Sequence, residues 1–485
     1  MRKQQLYLLC FFAAFLSFQS CQDYDDKLPE PTDLDVQKFI WGGLNELYLW
    51  QADVPNLADN KFNNDLEYYN FLEQYTPEDL FQSLLYRPPG SDDAAQYGAV
   101  DRDSWIVSDY LTLEQQLDGT SKNNGVKFGF SLVTSNSDQI IAYVKYIVPN
   151  SDASTKDIQR GEIVYAVNGI TLNLDNYVNL FFSSNENYTL NFADLTYDSN
   201  NNPVITPNGK SLDLTKTTLA ENPILIKKVI TNGAHKIGYL MYNGFYSSYE
   251  SELNDVFGYF KSEGVTDLVL DLRYNGGGLV PTAARLASMI TGQFTGEIFN
   301  ELAYNSKKSF LNRKYTFVST LNGNSLNSLN LSKVYVLTTK NSASASELII
   351  NGLDPYINVV QIGDYTYGKN VASVTLYDSP TFTKTNVNPS HRYAMQLIVA
   401  KSVNALGFGD YSYTGLKPDY QLTERIKTLG VLGDPSEPLL STAIGKITGT
   451  SKLIVPEKAT TDFIYLNDSK TLRRQNMMYF STEIQ

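Results

Sequence analysis

The stretch Val334-Tyr335-Val336-Leu337-Thr338-Thr339-Lys340-Asn341-Ser342-Ala343-Ser344-Ala345-Ser346-Glu347-Leu348-Ile349-Ile350 reads as a strand, a tight turn and a helix in direct succession. Residues 334–338 are an apolar run of strand length, and the apolar pattern resumes as a helix over 347–353. A serine at such a junction lies at the carboxyl end of a sheet, where open α/β folds place their sites. The N–H groups that open the helix lack intrahelical partners and carry the positive end of its dipole, so they suit a developing oxyanion. Ser is also a preferred helix N-cap. A cap explains one Ser, but not the clustering of small residues around Ser344.

Outward from this stretch the chain alternates strand and helix. Residues 237–242 are apolar, and Leu253, Val256, Phe257 and Phe260 fall on one helical face. Strands follow at 268–272 and 357–362, with a helix at 282–290. Such alternation predicts a largely parallel sheet flanked by helices, an α/β core over residues 220–450. With 485 residues the chain exceeds one core, so two or three domains are expected. Residues 35–110 read as a small helical N-terminal domain, broken by the loop Arg87-Pro88-Pro89-Gly90-Ser91-Asp92. Residues 120–198 read as short strands, with an Asn168-Gly169 turn, and 200–207 as an Asn- and Pro-rich connector. Residues 451–485 are polar and read as a peripheral C-terminal extension.

The first residues have the three parts of a secretory signal: Arg2 and Lys3, an apolar run over 6–18, then Gln19, Ser20 and Cys21. The run is shorter than the ~20 residues a spanning helix needs. A Cys directly after a small residue at the end of such a signal, here Ser20-Cys21, resembles a bacterial lipoprotein lipobox, which implies that residues 1–20 are removed, that Cys21 is the lipidated first residue and that 21–34 form a tether. Cys10 would leave with the signal, so no thiol remains for a disulfide or a nucleophile. The signal takes two of the 39 basic residues and none of the 52 acidic ones, which deepens the net charge from −13 to −15 and argues against nucleic acid as a partner. The signal and anchor imply a bacterial cell envelope location, lipid-anchored at the outer membrane on its periplasmic or surface side.

Counting removes whole mechanisms. The two histidines, His235 and His391, both sit in turn-like stretches, and no pair four residues apart exists for a zincin helix. A second glycine-rich stretch, Leu268-Val269-Leu270-Asp271-Leu272-Arg273-Tyr274-Asn275-Gly276-Gly277-Gly278, lets backbone N–H groups turn toward an anion. It is not a dinucleotide loop, because Pro281 stands where the third glycine belongs. A third stretch, Gly363-Asp364-Tyr365-Thr366-Tyr367-Gly368-Lys369-Asn370, sets a lysine among small and aromatic residues. Desolvation in such a setting can make a lysine a base for a serine.

Together these stretches resemble the C-terminal processing, or tail-specific, serine proteases: Asp271 to Gly278, Ser342 to Glu347, and Gly368-Lys369, with the lysine 25 residues after Ser344. The likeness extends over about residues 100–425, including Gly415-Leu416-Lys417-Pro418-Asp419. It implies a ClpP/crotonase-like core, with Ser344 as nucleophile, Lys369 as general base, and the N–H groups of Ala345, Gly277 and Gly278 as oxyanion donors. Residues 120–198 resemble an inserted PDZ-like domain, in which a loop Phe128-Gly129-Phe130-Ser131 would receive a peptide's C-terminal tail as an added strand. The implied partners are proteins or peptides recognised by their tails, and no metal or organic cofactor is implied. Where the family often has Gln, four residues after the lysine, this chain has Ser373, the candidate for orienting Lys369; Pro355 and Gly276 are further departures. These departures keep a second reading open, a peptide-binding lipoprotein with impaired catalysis.

Overall fold

The computed structural model describes residues 34–450, 463–472 and 477–480; the signal, most of the tether and Cys21 lie outside the described residues. A six-stranded sheet runs Ile224–Asn232, His235–Tyr242, Asp267–Asp271, Lys333–Thr338, Asn358–Gly363, Tyr420–Gln421, and is parallel from the second strand on. Its central strands Asp267–Asp271 and Lys333–Thr338 are apolar on both sides, as strands covered by helices on both faces must be. Val334 and Val336 join the core that holds helices Glu250–Ser262, Val280–Thr291 and Ala345–Leu353. Tyr335 and Leu337, one residue out of phase, meet helix Pro438–Thr448 on the opposite face.

A second, mixed sheet runs Gly277–Leu279, Met477–Tyr479, Val371–Tyr377, Ala394–Val403, Ile298–Tyr304, Arg313–Thr316, with Trp105–Val107 also on Ala394–Val403. It carries the lysine loop on the lead-in to Val371–Tyr377. The N-terminal helices pack directly onto it. Helix Asp35–Leu47 buries Val36, Phe39, Ile40, Leu44 and Leu47, and these residues share one core with Leu376, Met395 and Leu397. A Cβ on Gly43 would fall 2.6 Å from the Met395 side chain, which shows how closely the helix lies. The helical region is therefore continuous with the α/β core rather than built on a core of its own.

A third sheet runs Ile464–Asp468, Val126–Leu132, Ile140–Ile147, Ile163–Val167, Asn187–Tyr197, Pro203–Thr215, and has its own core around Phe128, Phe130, Phe181 and Phe192. This sheet corrects two expectations. The Asn-rich connector is a hairpin turn, in which the Asp198 carboxylate accepts the N–H groups of Asn200 and Asn202, and the sheet continues to Thr215. Of the residues after 451, those described are not peripheral: Ile464–Asp468 edges this sheet and Met477–Tyr479 sits inside the second, with Met478 and Phe480 buried. Among the described residues no helix is long and apolar enough to cross a membrane.

Candidate active site

Three serines precede or open helix Ala345–Leu353, and the turn uses them differently. Ser342 Oγ donates to Leu272 O at 2.8 Å and Ser346 Oγ to Asn275 O at 2.9 Å. Thr339 Oγ1 donates to Arg273 O, and Ala343 N to Asn275 O at 3.1 Å. These bonds rivet the turn to the glycine loop. Ser344 between them has φ 66° and ψ −116°, and its buried Oγ has no hydrogen-bond partner. A non-glycine residue there stores about 1–3 kcal/mol of backbone strain, held by the surrounding bonds.

Lys369 follows Gly368, whose φ of 85° and close approach to Tyr413 N, 2.7 Å from where a Cβ would stand, demand glycine. The two functional stretches meet at Glu347. Its Oε2 accepts from Ser344 N at 2.7 Å and Lys369 N at 2.9 Å; its Oε1 accepts from Gly368 N at 2.7 Å and Thr366 Oγ1 at 2.6 Å. Burial raises the Glu347 carboxyl above its ordinary range and outweighs the four hydrogen bonds that lower it. Glu347 lies within the serine stretch, but nothing in its sequence neighbours marks it as the joint.

The Lys369 side chain is buried, with Asp103 Oδ1 3.6 Å from its Nζ. Arg102 beside it donates to Gly368 O at 2.9 Å and stacks over Tyr367 and Tyr413 at 4.6 and 4.5 Å. Sequence reasoning missed this segment, because a short charged run before a strand looks like any solvated loop. Ser373 is engaged elsewhere: it donates to Met478 O at 3.0 Å and accepts from Gln396 Nε2 at 2.8 Å. A carboxylate that does lie beside Lys369 is that of Asp103.

The glycine loop separates the two proposed donors. Gly277 N donates to Asn275 Oδ1 at 2.8 Å, which removes it from the oxyanion role in this arrangement. Gly278, at φ 140°, could carry no Cβ, which would fall 2.4 Å from Phe245 O. Phe245 bonds Gly277 O and Leu279 N, so Gly278's own N–H and C=O face the opposite side. Ala345 opens the helix. The charged residues of the same loop serve the fold. Arg273, fully buried, pairs with Asp271 at 2.8 Å, Glu437 at 2.7 Å and Glu424 at 3.1 Å. Arg160, in the turn between strands Ile140–Ile147 and Ile163–Val167 of the third sheet, joins that network through Glu424 at 2.8 Å and Tyr274 OH at 2.6 Å, fixing the third sheet beside the site. Between them lies a cavity of about 330 Å³, lined by Ser131 and Tyr143 of that sheet and by Thr339, Lys340 and Asn341 of the serine turn.

Phe128, Gly129, Phe130 and Ser131 form part of strand Val126–Leu132, not a loop. Phe128 and Phe130 point into the third sheet's core, and Gly129 lies against the Tyr143 ring. The two histidines pair with their own aspartates, His235 with Asp267 at 2.8 Å and His391 with Asp378 at 3.0 Å, away from Ser344.

Fold and turn together describe an α/β protein with a strained, buried serine at a strand–helix junction. Residues 236–421 match peptidase family S41, and residues 35–96 match the peptidase S41 N-terminal domain. The chain belongs to peptidase family S41. It is 24% identical over 239 residues to a carboxyl-terminal-processing protease of Picosynechococcus, covering 49% of this chain and 51% of that protein. It is 26% identical over 248 residues to a chloroplastic C-terminal processing peptidase of Tetradesmus obliquus, covering 48% of each. The chain thus spans about half the length of the curated relatives it matches. A crystal structure assigned to the S41 proteases, from Bacteroides fragilis, superposes with a TM-score of 0.65 at 27% identity, over 85% of this chain and 98% of that one.

Proposed function

We propose that the protein is a serine endopeptidase of the C-terminal processing type, in which Ser344 and Lys369 form the catalytic dyad. One observation carries this reading: the only serine of its turn with an unpartnered hydroxyl, in strained backbone, shares a buried carboxylate with the lysine loop. Ser344 Oγ attacks a peptide carbonyl carbon while the Lys369 amine takes its proton. The tetrahedral oxyanion is held by the N–H groups of Ala345 and Gly278, each worth about 2.7–4 kcal/mol in comparable sites. Collapse breaks the C–N bond, Lys369 returns the proton to the leaving amine, and water then hydrolyses the acyl-enzyme.

The core takes the ClpP/crotonase-like arrangement in this reading, and the third sheet acts as a PDZ-like domain. In this reading a substrate's C-terminal tail adds as a strand beside Val126–Leu132, in the place that Ile464–Asp468 takes in this structure. The names of the relatives support that substrate class. Cys21 anchors the protein by lipid to the bacterial cell envelope. The test compares wild type with Ser344→Ala and Lys369→Ala on an unstructured protein. Both substitutions are expected to abolish cleavage; equal cleavage by all three sinks the dyad.

A further inference from the structure

The strand edges that a polypeptide would need on its way to Ser344 are already taken by the chain itself. Ile464–Asp468 lies antiparallel on Val126–Leu132, with Ile464 opposite Leu132, Tyr465 opposite Ser131, Asn467 opposite Phe130 and Asp468 opposite Gly129. The next residue continues the contact, since Phe128 N donates to Ser469 Oγ at 3.1 Å. Further on, Met477–Tyr479 runs parallel to Gly277–Leu279 and sets Met478 opposite Gly278. With Phe245 holding the neighbouring groups on one side, the N–H and C=O of Gly278 are turned toward Met477–Tyr479 on the other. The same segment touches Ser373, whose hydroxyl donates to Met478 O.

The segment is anchored by charges as well as by backbone. Asp468 pairs with Lys145 at 2.8 Å, both side chains at most 5% exposed. Lys470 donates to Asn243 O at 2.7 Å and Tyr274 O at 3.1 Å and lies 3.7 Å from Glu221. Tyr465 OH donates to Asn341 Oδ1 at 2.8 Å, three residues before Ser344. Buried charges that meet their partners in only one register fix where the segment lies, because unpaired they would be costly. Added strands recognise backbone with little regard to sequence, so an edge filled by the chain's own segment is equally open to another extended polypeptide once that segment leaves.

We infer that residues 463–472 and 477–480 form an intramolecular strap that occupies the lane of an extended polypeptide substrate, so that strap and substrate compete for the edges of Val126–Leu132 and Gly277–Leu279. The inference rests on the reading of Ser344 and Lys369 as a protease dyad. The strap makes the resting protein slow: the Gly278 oxyanion donor becomes available only when Met477–Tyr479 moves off.

The experiment uses the full chain with β-casein as an unstructured probe. Lys470→Ala, which removes the strap's hydrogen bonds to Asn243 O and Tyr274 O and its ion pair with Glu221, and Met478→Asp, which puts a carboxylate where a buried methionine sits, are each expected to raise kcat/KM about tenfold, mainly through KM, with thermal unfolding confirming an intact fold. In Ser344→Ala protein, where no cleavage can occur, hydrogen exchange at 464–468 and 477–479 is expected to quicken at least tenfold on adding casein. Cleavage that Ser344→Ala abolishes but neither strap variant raises, with exchange in the strap unchanged by casein, overturns the strap and leaves the dyad standing. Absence of cleavage in wild type and both strap variants overturns both readings.

Discussion

The amide nitrogens of Ser344 and Lys369 donate to the same carboxylate oxygen, Glu347 Oε2, at 2.7 and 2.9 Å. The distance between nucleophile turn and lysine loop is thus set by one buried side chain. Removing it in Glu347→Ala leaves Ser344 N, Gly368 N, Lys369 N and Thr366 Oγ1 without their acceptor. Each orphaned group costs about 1–3 kcal/mol, and the losses overlap, so a destabilisation of at least ~3 kcal/mol is expected. Glu347→Gln should fall nearly as far, since its amide must turn N–H groups toward two donors. Urea unfolding and kcat/KM measured together check this; loss of activity at full stability would contradict it.

The strain at Ser344 has its own signature. Its φ of 66° suits glycine, so Ser344→Gly relieves strain that Ser344→Ala retains. Glycine also loses more chain entropy on folding, about 0.5–1 kcal/mol. The net expectation is that the glycine variant is more stable than the alanine variant by about 1 kcal/mol, both being inactive. Equal urea midpoints would mean that the turn holds no strain.

Much of this arrangement is legible in the sequence. Residues 334–338 declare a strand because both of its faces are apolar, and a run of small residues next to a helix start marks Ser344, since a cap needs only one of them. Other parts depend on partners far away in the chain. Ile464–Asp468 mixes polar and apolar residues, and Met477–Tyr479 is three residues long; each is a strand only because an open edge elsewhere pairs with it. Asp103 gives no local signal, for its role exists only through a 3.6 Å approach to a lysine 266 residues away. Asn200 and Asn202 are legible as a break, but a linker and a hairpin turn differ only in whether the next segment pairs back onto the strand before it, as Pro203–Thr215 does onto Asn187–Tyr197.

Asp103 Oδ1 lies 3.6 Å from Lys369 Nζ, so Asp103 is expected to help position that side chain toward Ser344. Asp103→Asn keeps the shape and removes the charge. A kcat lower by about tenfold is expected with KM unchanged, a fraction of the 10²–10⁴-fold that a general base supplies. Labelling of Ser344 by a fluorophosphonate should slow in parallel, whereas a purely structural defect would instead lower the melting temperature. An unchanged kcat would remove Asp103 from the site.

Acid should weaken the junction between the third sheet and the core as pH falls through and below the ordinary carboxylate range. Burial raises the Glu424 pKa, but Arg160 and Arg273 outweigh it and hold the group at about 2, below its ordinary 4.5. A carboxylate whose folded pKa is depressed stabilises the fold fully above its unfolded pKa and loses that contribution as pH falls through the folded value. The window here runs from about pH 4.5 down to about 2. Glu424→Gln removes this one titration but leaves Arg160 and Arg273 without one of their carboxylates, so it is less stable at neutral pH. Its urea midpoint should accordingly start lower than wild type at pH 6 and fall less steeply between pH 4.5 and 2, the two curves converging in acid. Parallel curves across that window would mean that Glu424 is not the group whose protonation releases the third sheet.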